Sequence, residues 1–262
     1  MITRHQHGRA TANAVPVRVR GAIVVLILGL GTVGSMALPV GARAARRAGQ
    51  PVSRSQAVVT LRSAHVVRVR PRITSRRVAV VSATRPITGE PTALPILGQS
   101  TDSAGRLWLR VRLPGRALRG PQPPPTGWIE ATNSHRSSTP WHIVINLSSR
   151  QLVVYRDGRR MHTFRAIVGK SSTPTPQGLY FVEEDVRMSP SAPGAPFALA
   201  LSARSHVFTQ FDGGPGQIAI HGLAHLPGQL GAAASHGCVR LATRSIAWLW
   251  KHIGAGVPVT IH

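Results

Sequence analysis

Acidic residues are scarce in this 262-residue chain: eight Asp and Glu stand against 32 Lys and Arg, for a formal net charge of +24. Cysteine is scarcer still, with Cys238 the only one. One cysteine cannot close an internal disulfide. With no second cysteine there is no Cys-x-x-Cys pair, the commonest anchor of a structural zinc site. A metal held by His221, His236 and Cys238 is therefore not expected, nor is any other cofactor. A chain this basic first suggests nucleic acid. Its basic residues are scattered, however, and its N-terminus reads as an export signal, so no nucleic-acid partner is expected. Anionic wall polymers or lipid headgroups suit an exported cationic protein better. The alternative is a solvated arginine-rich surface that binds nothing.

Residues 1–20 carry Arg4, Arg9, Arg18 and Arg20 and no acid, and residues 21–40 are uncharged. Basic then apolar is the order of a secretory signal, and Ala42 and Ala44 supply an Ala-x-Ala cleavage site. The uncharged stretch also approaches the roughly 20 residues of a membrane helix, although Gly29, Gly31, Gly34 and Pro39 weaken it as a permanent span. Residues 1–44 are thus a cleaved signal peptide or a retained anchor helix. Either way the rest of the chain is exported, facing the wall, with membrane contact through this segment if it is uncleaved.

Residues 45–56 read as a linker. Residues 57–131 hold short β-rich pieces separated by turn signals, which predicts a small β-barrel. The strictest alternation is Leu107, Leu109, Val111 and Leu113 on one face, with Trp108, Arg110 and Arg112 on the other. Residues 132–140 are Ser/Thr-rich and end at Pro140, a second linker. From 141 to 262 strand patterns return. Asp157-Gly158 between two of them suits a type I′ hairpin turn. Glu183-Glu184-Asp185 is expected at a solvated strand end, and residues 189–196 form a loop that could serve as a lid. The clearest helix follows Leu241, with Thr243 as N-cap, Ile246, Leu249, Trp250 and Ile253 as its core stripe, and Gly254 ending it. The predicted fold class is mainly β with one or few helices.

The chemistry is concentrated in Ser235-His236-Gly237-Cys238-Val239-Arg240, with His221-Gly222 upstream at the end of an apolar run. A cysteine is nucleophilic only as its thiolate, so a working thiol needs a neighbouring base or cation. An exported protein that keeps one free thiol carries an oxidation liability, which favours a working role over an incidental one. The residues alone support a Cys/His acyl-transfer site. Cys238 would attack a carbonyl and form a thioester, and His221 would take the thiol proton. Backbone N–H groups of Gly237 and Cys238 are the natural oxyanion donors. No Asp or Asn stands ready to orient the imidazole, and Gly222 has no side chain, so a backbone carbonyl, that of Gly222, is expected to hold it. His225 reads as a surface-loop histidine.

The run 235–240, together with His221-Gly222 and the segment Thr173-Pro174-Thr175-Pro176-Gln177-Gly178, resembles the signature of L,D-transpeptidases with the YkuD-type catalytic domain. The resemblance covers residue 141 to the C-terminus. More weakly, Trp108-x-x-Val111-x-Leu113-Pro114-Gly115 and Gly127-Trp128-Ile129 resemble bacterial SH3-like domains. The stronger resemblance implies peptidoglycan stem peptides as substrate, release of D-Ala, transfer to a diaminopimelate amine to give 3→3 cross-links, and carbapenem sensitivity. It also implies that His236 and Ser235 line the site, and that Arg240 binds substrate or orders the loop. A carboxypeptidase using water, and a wall-binding protein without catalysis, stay open beside the transpeptidase.

Overall fold

In the computed structural model, residues 52–119, 122–211 and 213–262 are described. The 1–44 signal or anchor segment, and the 45–56 linker as far as residue 51, lie outside the described residues. Among the described residues no helix is long and apolar enough to cross a membrane.

The upstream part is a seven-stranded antiparallel sheet. Its strands are β1 (Gln56–Leu61), β2 (His65–Arg68), β3 (Arg77–Val81), β4 (Ala93–Thr101), β5 (Leu107–Arg112), β6 (Thr126–Glu130) and β7 (Ser134–Thr139). Their order is β3-β2-β6-β5-β4-β1-β7. Strands β3 and β7 are the two ends of this order. Period-two alternation supplies its core, which includes Val59, Val67, Leu94, Leu109, Val111 and Ile129. Trp108, on the opposite face of β5 from Leu109, is also buried, and its indole N–H donates to Asp102 Oδ2 at 3.0 Å.

One boundary differs from expectation. Residues 132–140 are not a linker, because β7 pairs with β1 over six residues, from Gln56 opposite Thr139 to Leu61 opposite Ser134. The Ser, Thr, His and Arg side chains of β7 are largely exposed. A polar edge strand lacks the apolar alternation by which strands are recognised, and its ladder is supplied by a partner some 75 positions away.

The second part comprises β8 (Trp141–Asn146), β9 (Gln151–Arg156), β10 (Arg159–Arg165), β11 (Val168–Gly169), β12 (Gly178–Arg187), β13 (Phe197–Arg204), β14 (Gln217–His221), β15 (Ala233–Ser235), β16 (Val239–Arg240), α1 (Thr243–His252) and β17 (Pro258–Ile261). Eight of these strands form one sheet in the order β10-β9-β8-β17-β12-β13-β14-β16, and β11 and β15 form a separate parallel pair. The β17–β8 and β14–β16 pairs are parallel, and the rest of the sheet is antiparallel. Asp157 and Gly158 both have positive φ, 53° and 73°, as a type I′ turn between β9 and β10 requires. The core gathers Ile143, Ile145, Leu152, Val182, Leu199, Leu201, Ile220, Val239 and the α1 residues Ile246 and Leu249. The caps of α1 differ from expectation. The N-cap is Ala242 without a side-chain bond, Thr243 is already helical, and Ile253 ends the helix in extended conformation before Gly254.

Strand β12 joins the two parts. Phe181 lies in the upstream core and its neighbour Val182 in the downstream one. Fully burying a side chain such as Phe181 contributes about 1.5–3 kcal/mol, so the two sheets are held by apolar contact as well as by charge. The next residues overturn a further expectation, since Glu183 and Glu184 are 1% and 0% exposed rather than solvated. Glu184 Oε2 accepts from the Ile87 and Thr88 amides, both at 3.0 Å, and from the Thr88 hydroxyl at 3.1 Å. Buried carboxylates persist when such donors replace water, and these donors come from a loop nearly 100 positions away.

Candidate active site

Ile220 pairs with Val239 and His221 with Arg240 across the parallel β14–β16 ladder. Ile220 and Val239 both point into the core. Alternation therefore puts Ala219, His221, Cys238 and Arg240 on the opposite face. Cys238 Sγ accepts the Ala219 N–H at 3.4 Å and lies 4.0 Å from the Gln217 carbonyl oxygen. Thiol, imidazole and guanidinium thus share one face of two adjacent strands.

His221 Nδ1 is 2.9 Å from the Gly222 carbonyl oxygen. A carbonyl can only accept, so Nδ1 carries the proton and Nε2 is left with a free lone pair. Burial lowers the imidazole pKa to about 4, assisted by the Arg240 charge and opposed by the Gly222 bond. The ring is seated by backbone. Gly194 has φ +91°, and a Cβ there would lie 2.4 Å from Nδ1. The Gly222 amide donates to Gly194 O at 2.8 Å, and the Gly194 amide to Ala224 O at 2.7 Å. A Cβ on Gly222 would meet Ala195 O at 2.2 Å. The 189–196 loop therefore lies directly against the imidazole and the residue that orients it.

Burial pushes the Cys238 thiol up, while the Ala219 N–H and the Arg240 charge pull it down. The resting pair is neutral thiol and neutral imidazole. Arg240 is 8% exposed. Its Nη1 donates to Pro227 O at 2.9 Å, and its Nε has no partner. Among the described residues no carboxylate reaches its guanidinium within ion-pair distance. The site thus holds a nearly buried cation, one donor of which is unused.

The loop carrying the thiol is held from below by the Thr-Pro segment. Thr175 Oγ1 donates to Gly237 O at 2.8 Å and accepts the Gly169 amide at 2.9 Å. Thr173 Oγ1 donates to Ser235 O at 3.1 Å. One placement here differs from expectation. Ser235 does not line a substrate surface, because it is fully buried and its hydroxyl donates to Cys238 O at 2.6 Å. The Gly237 amide donates to Ser235 Oγ at 3.2 Å, a bond within the loop. Gly237 has φ +118°, which a side chain would strain. His236 is exposed, with its ring centroid 5.7 Å from that of Phe208 in an edge-to-face arrangement. His225 stands apart and bonds Pro190 O at 3.1 Å. Among the described residues no group of three His, Cys, Asp or Glu side chains could hold a metal.

Gly194, Ala219, Thr173 and Thr175 complete the site but were not singled out by sequence reasoning. The repeated Thr-Pro of residues 173–176 is the local signal that marks the two threonines. Nothing local marks Gly194 or Ala219, whose parts are a missing Cβ and a backbone N–H.

Fold and site together define a β-sheet domain built around a thiol and a backbone-oriented imidazole. Residues 140–261 match the family model YkuD, the L,D-transpeptidase catalytic domain. The chain is 28% identical to YkuD of Bacillus subtilis (strain 168) over 123 residues, and 31% identical to YkuD of Bacillus licheniformis over 125 residues. Each alignment takes in 47% of this chain and 66% of the relative, just under two thirds of the length of these curated proteins. A solved Enterococcus faecium L,D-transpeptidase mutant is similar over 47% of this chain and 49% of its own, at 19% identity and a TM-score of 0.37.

Proposed function

We propose that this protein is a cysteine-dependent L,D-transpeptidase acting on peptidoglycan stem peptides outside the cytoplasm. The observation that carries the reading is the bond from His221 Nδ1 to Gly222 O, which leaves Nε2 as a base on the same face as Cys238. Cys238 Sγ attacks the carbonyl carbon preceding the terminal D-Ala, and the thiol proton passes to His221 Nε2. Because the thiol rests protonated and the imidazole is a weak base, proton transfer accompanies attack rather than preceding it. The Cys238 amide faces the developing oxyanion. The C–N bond breaks, His221 returns its proton to the leaving D-Ala amine, and a thioester remains on Cys238. A diaminopimelate amine gives a proton to His221 and attacks the thioester, forming the 3→3 amide and releasing the thiol. Arg240, with its free Nε, holds the acyl donor by an oxygen or carboxylate and favours the transient thiolate. His236 and Phe208 border the entry. The excess of arginine suits residence among anionic wall polymers or lipid headgroups.

Intact-mass analysis after incubation with a carbapenem tests the nucleophile. A single adduct on the wild type that is absent from Cys238→Ala is expected. A folded, reduced wild type that takes up no adduct would overturn the reading. Incubation with tetrapeptide-stem muropeptides then separates acceptors: cross-linked dimers support transpeptidation, whereas trimmed monomers alone would replace it with a carboxypeptidase.

A further inference from the structure

Glu183 gathers donors from four segments distant in the sequence. Arg85, after β3, forms an ion pair with Oε2. The Gly115 amide, after β5, donates to Oε1 at 2.8 Å. Arg204, at the end of β13, reaches the two oxygens at 3.3 and 3.1 Å. The side-chain amide of Gln217 donates to Oε2 at 3.1 Å, and also to Leu201 O at 3.0 Å. The carboxylate is fully buried, and the side chains of Arg85 and Arg204 are about nine-tenths buried.

Gln217 is the first residue of β14. Its own carbonyl is the oxygen 4.0 Å from Cys238 Sγ, Ala219 two residues on gives the thiol its N–H, and His221 follows two residues later. From Arg85 in the upstream part to the thiol there are thus only a carboxylate, a side-chain amide and the opening of one strand.

We infer that Arg85, Glu183 and Gln217 are positioning residues through which the upstream sheet sets the placement of Cys238 against the Ala219 amide. The inference rests on Cys238 being the nucleophile of the proposed function. Cohesion alone does not account for the cluster. Phe181 already joins the two cores by apolar contact, and buried ion pairs contribute little net stability over apolar replacements of similar volume. What a fully hydrogen-bonded carboxylate adds is direction. It fixes the rotamer and height of the Gln217 amide, and with it the end of the strand that carries the site.

The test reads the thiol without any substrate. The rate of carboxamidomethylation by iodoacetamide, followed by intact mass from pH 5 to 10, reports only Cys238, because the chain has no other cysteine. The charged and titratable groups around the thiol are His221 on β14, Arg240 on β16 and His236 in the loop, and all three stay in place in every variant. Arg85→Met removes a cation and loosens the Ala219 amide, and both changes disfavour the thiolate. Its pH midpoint is expected to rise by about half a unit or more, slowing alkylation about threefold at pH 7. Arg85→Lys restores part of the shift. Val111→Ala, a buried cavity in the upstream core that removes no group bonded to Glu183, lowers the melting temperature and leaves the midpoint unchanged. Should Arg85→Met fail to fold, Gln217→Leu carries the same expectation with the ion pairs intact. A folded Arg85→Met or Gln217→Leu protein with the wild-type midpoint, or an equal shift in Val111→Ala, would sink the inference. A wild type that alkylates normally yet takes up no carbapenem would count against the function, not against the positioning.

Discussion

The seating of His221 against Gly194 makes the sharpest prediction. Gly194→Ala places a methyl carbon 2.4 Å from Nδ1, at a position with φ +91°. Holding a non-glycine residue in such a backbone region costs about 1–3 kcal/mol, and forcing a methyl into filled space costs about 1–3 kcal/mol more. The ring cannot step aside freely, because Nδ1 is tied to Gly222 O at 2.9 Å. The cheapest relief is for the 189–196 loop and the imidazole to shift together, giving up the bond from the Gly222 amide to Gly194 O. The competent arrangement then lies about 3 kcal/mol above the relaxed one, which at 1.36 kcal/mol per decade slows acylation about 100-fold. Because the strain is shed locally, the melting temperature falls by only a few degrees. The assay is time-resolved intact-mass measurement of carbapenem acylation, paired with a thermal melt. Acylation within threefold of wild type would refute the reasoning. So would a melting temperature lowered by about 6–12 °C, the range for about 3 kcal/mol retained in a domain of this size, with the rate unchanged.

Thr175→Val keeps the shape of a buried side chain but leaves Gly237 O and the Gly169 amide without their partner. At about 1–3 kcal/mol for each unsatisfied group, the loss is about 2–6 kcal/mol, visible as a lower denaturant midpoint. Alkylation of Cys238 should slow in the same variant as the loop loosens. Burial also depresses His142 to about 4, as it does His221. A histidine depressed in this way contributes stability above its ordinary value of 6.5 that is lost as pH falls toward 4. Burial, with Glu90 nearby, raises Asp185 to about 7, so its contribution runs the other way and is lost as pH rises from about 4 through 7. Denaturation from pH 4 to 8 should therefore show stability rising between pH 4 and 6.5. His142→Gln should flatten that rise, and Asp185→Asn should stabilise most above pH 7.

Much of the strand content was legible because it rests on local alternation. Leu109 and Val111 in β5, Ile143 and Ile145 in β8, and Ile218 and Ile220 in β14 all point inward as a period of two requires. The Asp157-Gly158 turn was legible because few residue pairs accept two consecutive positive φ values. The run 235–240 with His221-Gly222 stood out because a lone thiol with basic neighbours is a chemical pattern and needs no coordinates to be noticed. Strand β7 was not legible, since a strand of Ser, His, Arg and Thr has no inward face and exists because β1 offers it an edge.

By itself, then, the sequence determined the mainly β class, the hairpin turn and the thiol with its histidine, because each depends on neighbours within a few positions. Only the tertiary structure decided how these groups are held. Glu183 is buried because Arg85 and Arg204 converge on it from 98 and 21 positions away, and a charge is read as solvated until its partners are known. The Ser235 hydroxyl is an internal support, and the Gly237 amide bonds to it, because the loop folds back on itself. Gly194 and Ala219 act through an absent side chain and a backbone N–H, properties that gain meaning only when another segment is placed against them.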